Sequence, residues 1–92
     1  MATGNNPQFN GKNISATANA LATGAGTVAG ILVSSISGSP TIAVYDGLTS
    51  GGTKIVDTFI PVAGTYYPMP FSYATGLTVV IASTVSCTVF WA

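Results

Sequence analysis

The sequence predicts an all-β domain: a small antiparallel β-sandwich or jelly-roll of about six to seven strands, with an extended N-terminal arm. Three observations lead there. Short runs rich in Val, Ile, Thr, Tyr and Phe recur between Gly, Pro and Ser punctuation, as strands do between turns. No segment carries an apolar helical stripe built from helix formers, and the chain contains no glutamate at all. A disordered chain would be poor in aromatic and β-branched residues, whereas 48% of this one is hydrophobic. At 92 residues it makes one domain at most, and so short a chain buries a thin core whose stability is modest or shared with neighbouring subunits.

Residues 1–12 read as an arm, because Gly4, Asn5, Asn6, Pro7, Asn10 and Gly11 all break or turn the chain. Met1 and Phe9 are its large apolar residues, and Met1, Asn5, Asn6, Pro7, Phe9 and Lys12 are the candidates for contact with a neighbouring subunit. Residues 13–92 form the single sandwich domain. Lys12 to Leu21 alternates weakly and is expected to begin as a first strand, followed by Val28 to Ser37, which Gly38-Ser39-Pro40 ends. Thr41 to Tyr45 alternates cleanly, with Ile42 and Val44 on one face. Lys54 to Ile60 is closed by Pro61, and Thr65 to Ser72 holds Pro68 and Pro70, which confines it to a sheet edge. Leu77 to Ser83 reads as a buried central strand. In the last run Val85, Cys87, Val89 and Trp91 share a face.

Composition excludes several functions. Charged residues make up 4% of the chain, against roughly 25% in ordinary soluble proteins. Lys12, Lys54, Asp46 and Asp57 are all of them, and they cancel. Two isolated lysines cannot neutralise a run of phosphates, so nucleic acid is not an expected partner. The best apolar run, Val28 to Ile36, is interrupted by Gly30, Ser34 and Ser35 and is too short for a membrane span of about 18 residues or more. One cysteine, Cys87, rules out an internal disulfide. The polar N-terminal residues lack the apolar core of a signal peptide, so synthesis in a cytoplasm is the expectation, and Asn13-Ile14-Ser15 matches a glycosylation acceptor by chance.

The chemistry-bearing motifs are weak. Without histidine or glutamate no Ser–His or Cys–His pair can be assembled, and Cys87 sits mid-strand where burial as a small apolar residue is expected. No catalytic residue, metal or cofactor is expected. Gly24-Ala25-Gly26-Thr27-Val28-Ala29 fits the dinucleotide fingerprint in letters only, since a strand and not a helix follows it. Tyr45-Asp46-Gly47-Leu48-Thr49-Ser50-Gly51-Gly52-Thr53-Lys54 gathers charge, tyrosine and glycine, and Asp46 with nearby carbonyls falls short of a calcium loop. It reads as a strand connection in which Lys54 pairs with Asp46 or Asp57. Tyr45, Tyr66, Tyr67, Tyr73 and Trp91 are candidates for an aromatic sugar platform, although rings of this kind more commonly fill the core; Tyr66, Tyr67 and Tyr73 are the expected exposed contacts.

The order of these segments carries more than any one of them. Tyr45-Asp46-Gly47, Gly52-Thr53, Pro68-Met69-Pro70-Phe71 and Thr75-Gly76-Leu77, ahead of a closing Cys87-to-Ala92 strand, resemble small tailed-phage and prophage virion proteins over roughly residues 20–92. The resemblance implies a capsid decoration (cement) subunit on the capsid exterior, a small sandwich that trimerises and binds the major capsid protein across shell seams. It brings no catalytic motif. A fibre module recognising a cell-surface glycan, and a tail or neck component, are the alternatives.

Overall fold

The computed structural model describes residues 9–92. Six strands carry it: β1 (Asn10–Ile14), β2 (Ala18–Thr23), β3 (Gly26–Asp46), β4 (Thr53–Phe59), β5 (Thr65–Tyr73) and β6 (Gly76–Trp91). Every pairing is antiparallel, and no helix occurs among the described residues.

The organising pair is β3 with β6, which run side by side from Val28↔Trp91 to Asp46↔Leu77 with register shifts at Val28/Gly30, Val33/Ser35 and Ser37/Thr41. A straight strand of 21 residues would span ~69 Å at about 3.3 Å per residue, whereas the longest dimension of the molecule is 44 Å. The ribbon therefore folds over. It bends where Gly38-Ser39-Pro40 of β3 faces Ser83 of β6: pairing passes from Ser37↔Thr84 to Thr41↔Ala82, three residues opposite one. Gly38 and Ser83 both take left-handed backbone, at φ 74° and 68°.

Each half of the folded ribbon gains an edge strand on either side. In the first sheet the order is β1, the distal half of β6, the proximal half of β3, then β5. In the second it is β2, the proximal half of β6, the distal half of β3, then β4. Counting the bent strands as two segments each, the first pairs with the eighth, the second with the seventh, the third with the sixth and the fourth with the fifth. That is the wiring of an eight-segment jelly-roll. The sequence expectation of a sandwich or jelly-roll holds, with the two central sequence pairs fused into two long bent strands.

One core fills the space between the sheets. β6 supplies Leu77, Val79, Ile81, Val85, Cys87 and Val89, its odd-numbered residues on both sides of the bend; β3 supplies Val28, Ile31, Val33, Ile42 and Val44; and Ile14, Met69 and Tyr73 close the margins. The expected faces of Val85, Cys87 and Val89 and of Ile42 and Val44 are therefore the buried ones, and Trp91 packs partly buried beside them. Each fully buried Val, Leu or Ile contributes about 1.5–3 kcal/mol. β5, with its prolines, lies at a sheet edge as expected, paired to β3 alone.

Two boundaries differ from the sequence expectation. The arm ends earlier than Lys12, because Asn10 to Lys12 already pair with Trp91 to Val89. The expected single strand from Lys12 to Leu21 is two, interrupted at Ser15–Thr17. There the Thr17 hydroxyl accepts from Ile81 N–H (2.9 Å) and donates to Ile81 C=O (3.1 Å), doing locally what a ladder residue would do while the chain crosses between sheets. Of the expected arm contacts, Met1, Asn5, Asn6 and Pro7 lie outside the described residues, while Phe9 and Lys12 are exposed.

The bend yields opposite expectations for its two left-handed residues. Ser83→Gly relieves strain and raises unfolding stability by about 0.5–1 kcal/mol; Gly38→Val adds strain and lowers it by about 1–2 kcal/mol. Urea titration of both variants measures the difference.

Candidate functional site

The Tyr45–Lys54 connection is the tip of the ribbon. Asp46 pairs with Thr53 and Tyr45 with Lys54. Gly47 and Gly52 approach so closely that a Cβ on either would lie 2.8 Å from the other's Cα, which fixes glycine at both positions. In the fragment from Gly24 to Ala29 the first two residues are a bend and the other four already belong to β3, with no helix after them to receive a phosphate.

Asp46 does not pair with Lys54. Its Oδ2 accepts Ala74 N–H at 2.9 Å, and its Oδ1 accepts Thr75 N–H at 2.9 Å and Gly76 N–H at 3.4 Å. The Ala74 bond first and the Thr75 bond second hold its carboxyl below the usual carboxylate range. Both oxygens of the one carboxylate in the loop are thus engaged by backbone donors of the β5–β6 turn. Gly47 N–H donates to Gly76 C=O, and the fully buried Thr78 hydroxyl donates to Gly47 C=O (2.9 Å) while accepting Ala20 N–H (3.1 Å). That last bond satisfies the backbone of Ala20, which sits at φ 51° where the β2–β6 register slips. The supposed site is a structural clasp.

Lys54 turns instead to Asp57 (3.3 Å) and lies 5.6 Å from the Tyr45 ring centre. The hydrogen bond that Lys54 donates to Asp57 raises the lysine above its ordinary value, and the Thr58 N–H followed by Lys54 lowers Asp57. Cys87 is wholly buried, and desolvation pushes its thiol up to about 11. Among the described residues no three His, Cys, Asp or Glu side chains gather as a metal site would require.

The aromatic expectation needs correction. Along β5 the odd residues face inward and the even ones outward, so Tyr66 and Tyr67 cannot share a face. Tyr73 is 4% exposed; its hydroxyl donates to Ala92 C=O at 3.2 Å, and burial raises its pKa. Tyr67 is half-buried at the sandwich margin, 5.0 Å from the Phe59 ring, with its oxygen accepting Val62 N–H at 2.9 Å. Tyr66 alone of the three stands on the outer face, edge-on to Phe90 at 6.3 Å. Phe90 was no part of the expected platform, although the alternation of the last run places it opposite Val89.

Where the sheet margins part, between β4 and β5, an apolar cleft of about 510 Å³ opens among Ile55, Val56, Phe59, Tyr67, Met69 and Phe71. Ile60 and Val62 project beside it, 70% and 59% exposed. No family model matches the chain, and no match was found among curated proteins or solved structures.

Two outcomes follow from the clasp and the thiol. The folded pKa of Asp46 lies below its unfolded value, so its contribution is complete above the ordinary aspartate range, about pH 4, and is lost as pH falls through the depressed folded value. Asp46→Asn is expected to lower the thermal midpoint at neutral pH and speed amide exchange at Ala74–Gly76, with the difference from the parent shrinking in acid. A thiol reagent is expected to label Cys87 only at the rate of unfolding; labelling as fast as a free thiol would contradict its burial.

Proposed function

We propose that this chain is a non-enzymatic structural subunit of a virus particle, a capsid decoration (cement) protein that assembles as a homotrimer and binds the major capsid protein across shell seams. The observation that carries the reading is the β4–β5 margin, where an apolar cleft lies beside the projecting Ile60 and Val62 of the same chain. A knob and a cleft on one subunit suit a head-to-tail contact, which makes a ring where the rotation closes and a filament where it does not. Charge does not oppose such packing: Lys54 is neutralised by Asp57, and Asp46 is spent on backbone amides. The ordered motifs of residues 20–92 support the same reading, and an inventory without histidine cannot supply a Ser–His or Cys–His pair.

The deciding experiment images particles made with and without the protein, alongside its mass in solution. Trimers at regular shell positions are the expected result, and a monomer absent from particles would refute the proposal. Ile60→Asp with Val62→Asp is expected to abolish the trimer while leaving the thermal midpoint within a few degrees, because both side chains are exposed in the subunit. Removal of residues 1–8, which spares β1, is expected to lower occupancy on particles without unfolding the domain.

A further inference from the structure

Two junctions among the described residues place a glycine after an asparagine or aspartate: Asn10-Gly11 at the start of β1 and Asp46-Gly47 at the ribbon tip. In each, the side-chain carbonyl carbon is within five-membered-ring reach of the next backbone nitrogen, which glycine leaves unshielded. The fold treats the two oppositely. At Asp46 both reacting groups are held: the carboxylate accepts three backbone N–H groups, and Gly47 N–H donates to Gly76 C=O at 3.0 Å. At Asn10 the nitrogen is free. β1 is an edge strand paired to β6 alone. In an antiparallel ladder, residues alternate between exchanging hydrogen bonds with their partner and turning N–H and C=O away from it. Ala92 exchanges both of its bonds with Thr27, on the β3 side, so Trp91 turns its own toward its β1 partner Asn10. Gly11, opposite Phe90, therefore points its N–H off the open edge. Cys87, of the same parity as Trp91, agrees: its carbonyl accepts the Asn13 amide from the β1 side at 3.0 Å. Asn10 and Gly11 are both exposed. The remaining junctions are closed. Ala20 N–H, after Asn19, donates to Thr78 Oγ1 (3.1 Å); Thr58 N–H, after Asp57, donates to the Asp57 carboxylate (2.8 Å); and Ile14, after Asn13, is buried.

We infer that Asn10-Gly11 is a self-modification site, at which the folded chain converts asparagine to aspartyl and isoaspartyl forms through a succinimide. The Gly11 nitrogen attacks Asn10 Cγ. The new C–N bond replaces the Cγ–Nδ2 bond, and ammonia leaves with the proton lost from Gly11 N–H. Water then opens the imide: addition at Cγ restores the main chain and leaves aspartate, and addition at the backbone carbonyl leaves isoaspartate, whose main chain runs through Cγ. Attack requires Asn10 to leave its extended ψ. Because Asn10 is the first ladder residue of β1, that rotation opens one pair alone, the pair with Trp91, and strand ends open most readily. The same rotation at Asp46 would tear the hairpin tip from the β5–β6 turn. Either product gives a chain of zero formal charge a negative one, and isoaspartate adds a backbone methylene that takes residue 10 out of register with Trp91.

The inference stands apart from the capsid reading, since it concerns the chain in solution. Its test ages the full chain in warm, near-neutral buffer, folded and in parallel in guanidinium chloride, and digests both with trypsin. Cleavage after Lys12 and Lys54 puts Asn10 and Asp46 on different peptides, and fragment ions assign the modified residue. Asn10 of the folded chain is expected to gain about 1 Da, as a mixture of isoaspartate and aspartate, at a rate within about tenfold of the unfolded chain. Isomerisation of Asp46 is expected to slow more than about a hundredfold on folding. Gly11→Ala is expected to slow conversion of Asn10 roughly tenfold in both states, so the result does not depend on how well that variant folds. The modified chain, separated by anion exchange, is expected to exchange the Trp91 amide faster than the parent. Protection of Asn10 on folding as strong as that of Asp46, conversion of both at equal rates in the folded chain, or a Gly11→Ala chain that converts as fast as the parent would each overturn the inference.

Discussion

The pairing of β3 with β6 is the constraint on which the rest of this molecule depends. It places the two most apolar segments of the chain side by side, then obliges both to bend at the same point, so that their buried faces meet each other and not solvent. All four remaining strands attach to one member of this pair. Neither sheet exists without it, because β1 and β2 touch the fold through β6 and β4 and β5 touch it through β3. The bend works only because both strands yield together, one through a glycine and the other through a serine held in left-handed backbone.

The same wiring explains what the loop that gathers charge does in the fold. The hairpin tip must sit against the turn that carries the chain from β5 to β6, where successive backbone N–H groups would otherwise be left without acceptors. Asp46 supplies acceptors to three of them. A carboxylate used in this way is unavailable to a metal, and the lysine that might have neutralised it turns to Asp57. With so few charges in the chain, each one engaged internally leaves the surface still more apolar, and that surface is where binding has to be sought.

Much of this architecture was legible in the sequence, because period-2 alternation states which side chains are buried. Val85, Cys87 and Val89 are a direct example. The fusion of strands was not legible, since Gly38-Ser39-Pro40 is as good a terminator as a bend and only its partner strand decides between them. The arm boundary was missed for a related reason: Asn10 and Gly11 look like turn residues, yet their partners Trp91 and Phe90, far along the chain, draw them into a ladder. For the candidate sites, the alternation that buries Tyr73 and turns Tyr66 outward was present in the letters, and grouping tyrosines by type overrode it. The engagement of Asp46 by a turn 28 residues away has no local signal at all.

The span of the β1–β6 pairing, Asn10 against Trp91, has a consequence for the birth of the molecule. Neither sheet can acquire its β6 segment before residues 76–91 have been made, and at about 5–20 residues per second the ribosome needs ~2–9 s to travel from Asp46 to Trp91. For those seconds the apolar run of β3 has no β6 to cover it, in a chain with almost no charge to keep nascent copies apart. The interval before closure is therefore when copies of this chain are most open to one another.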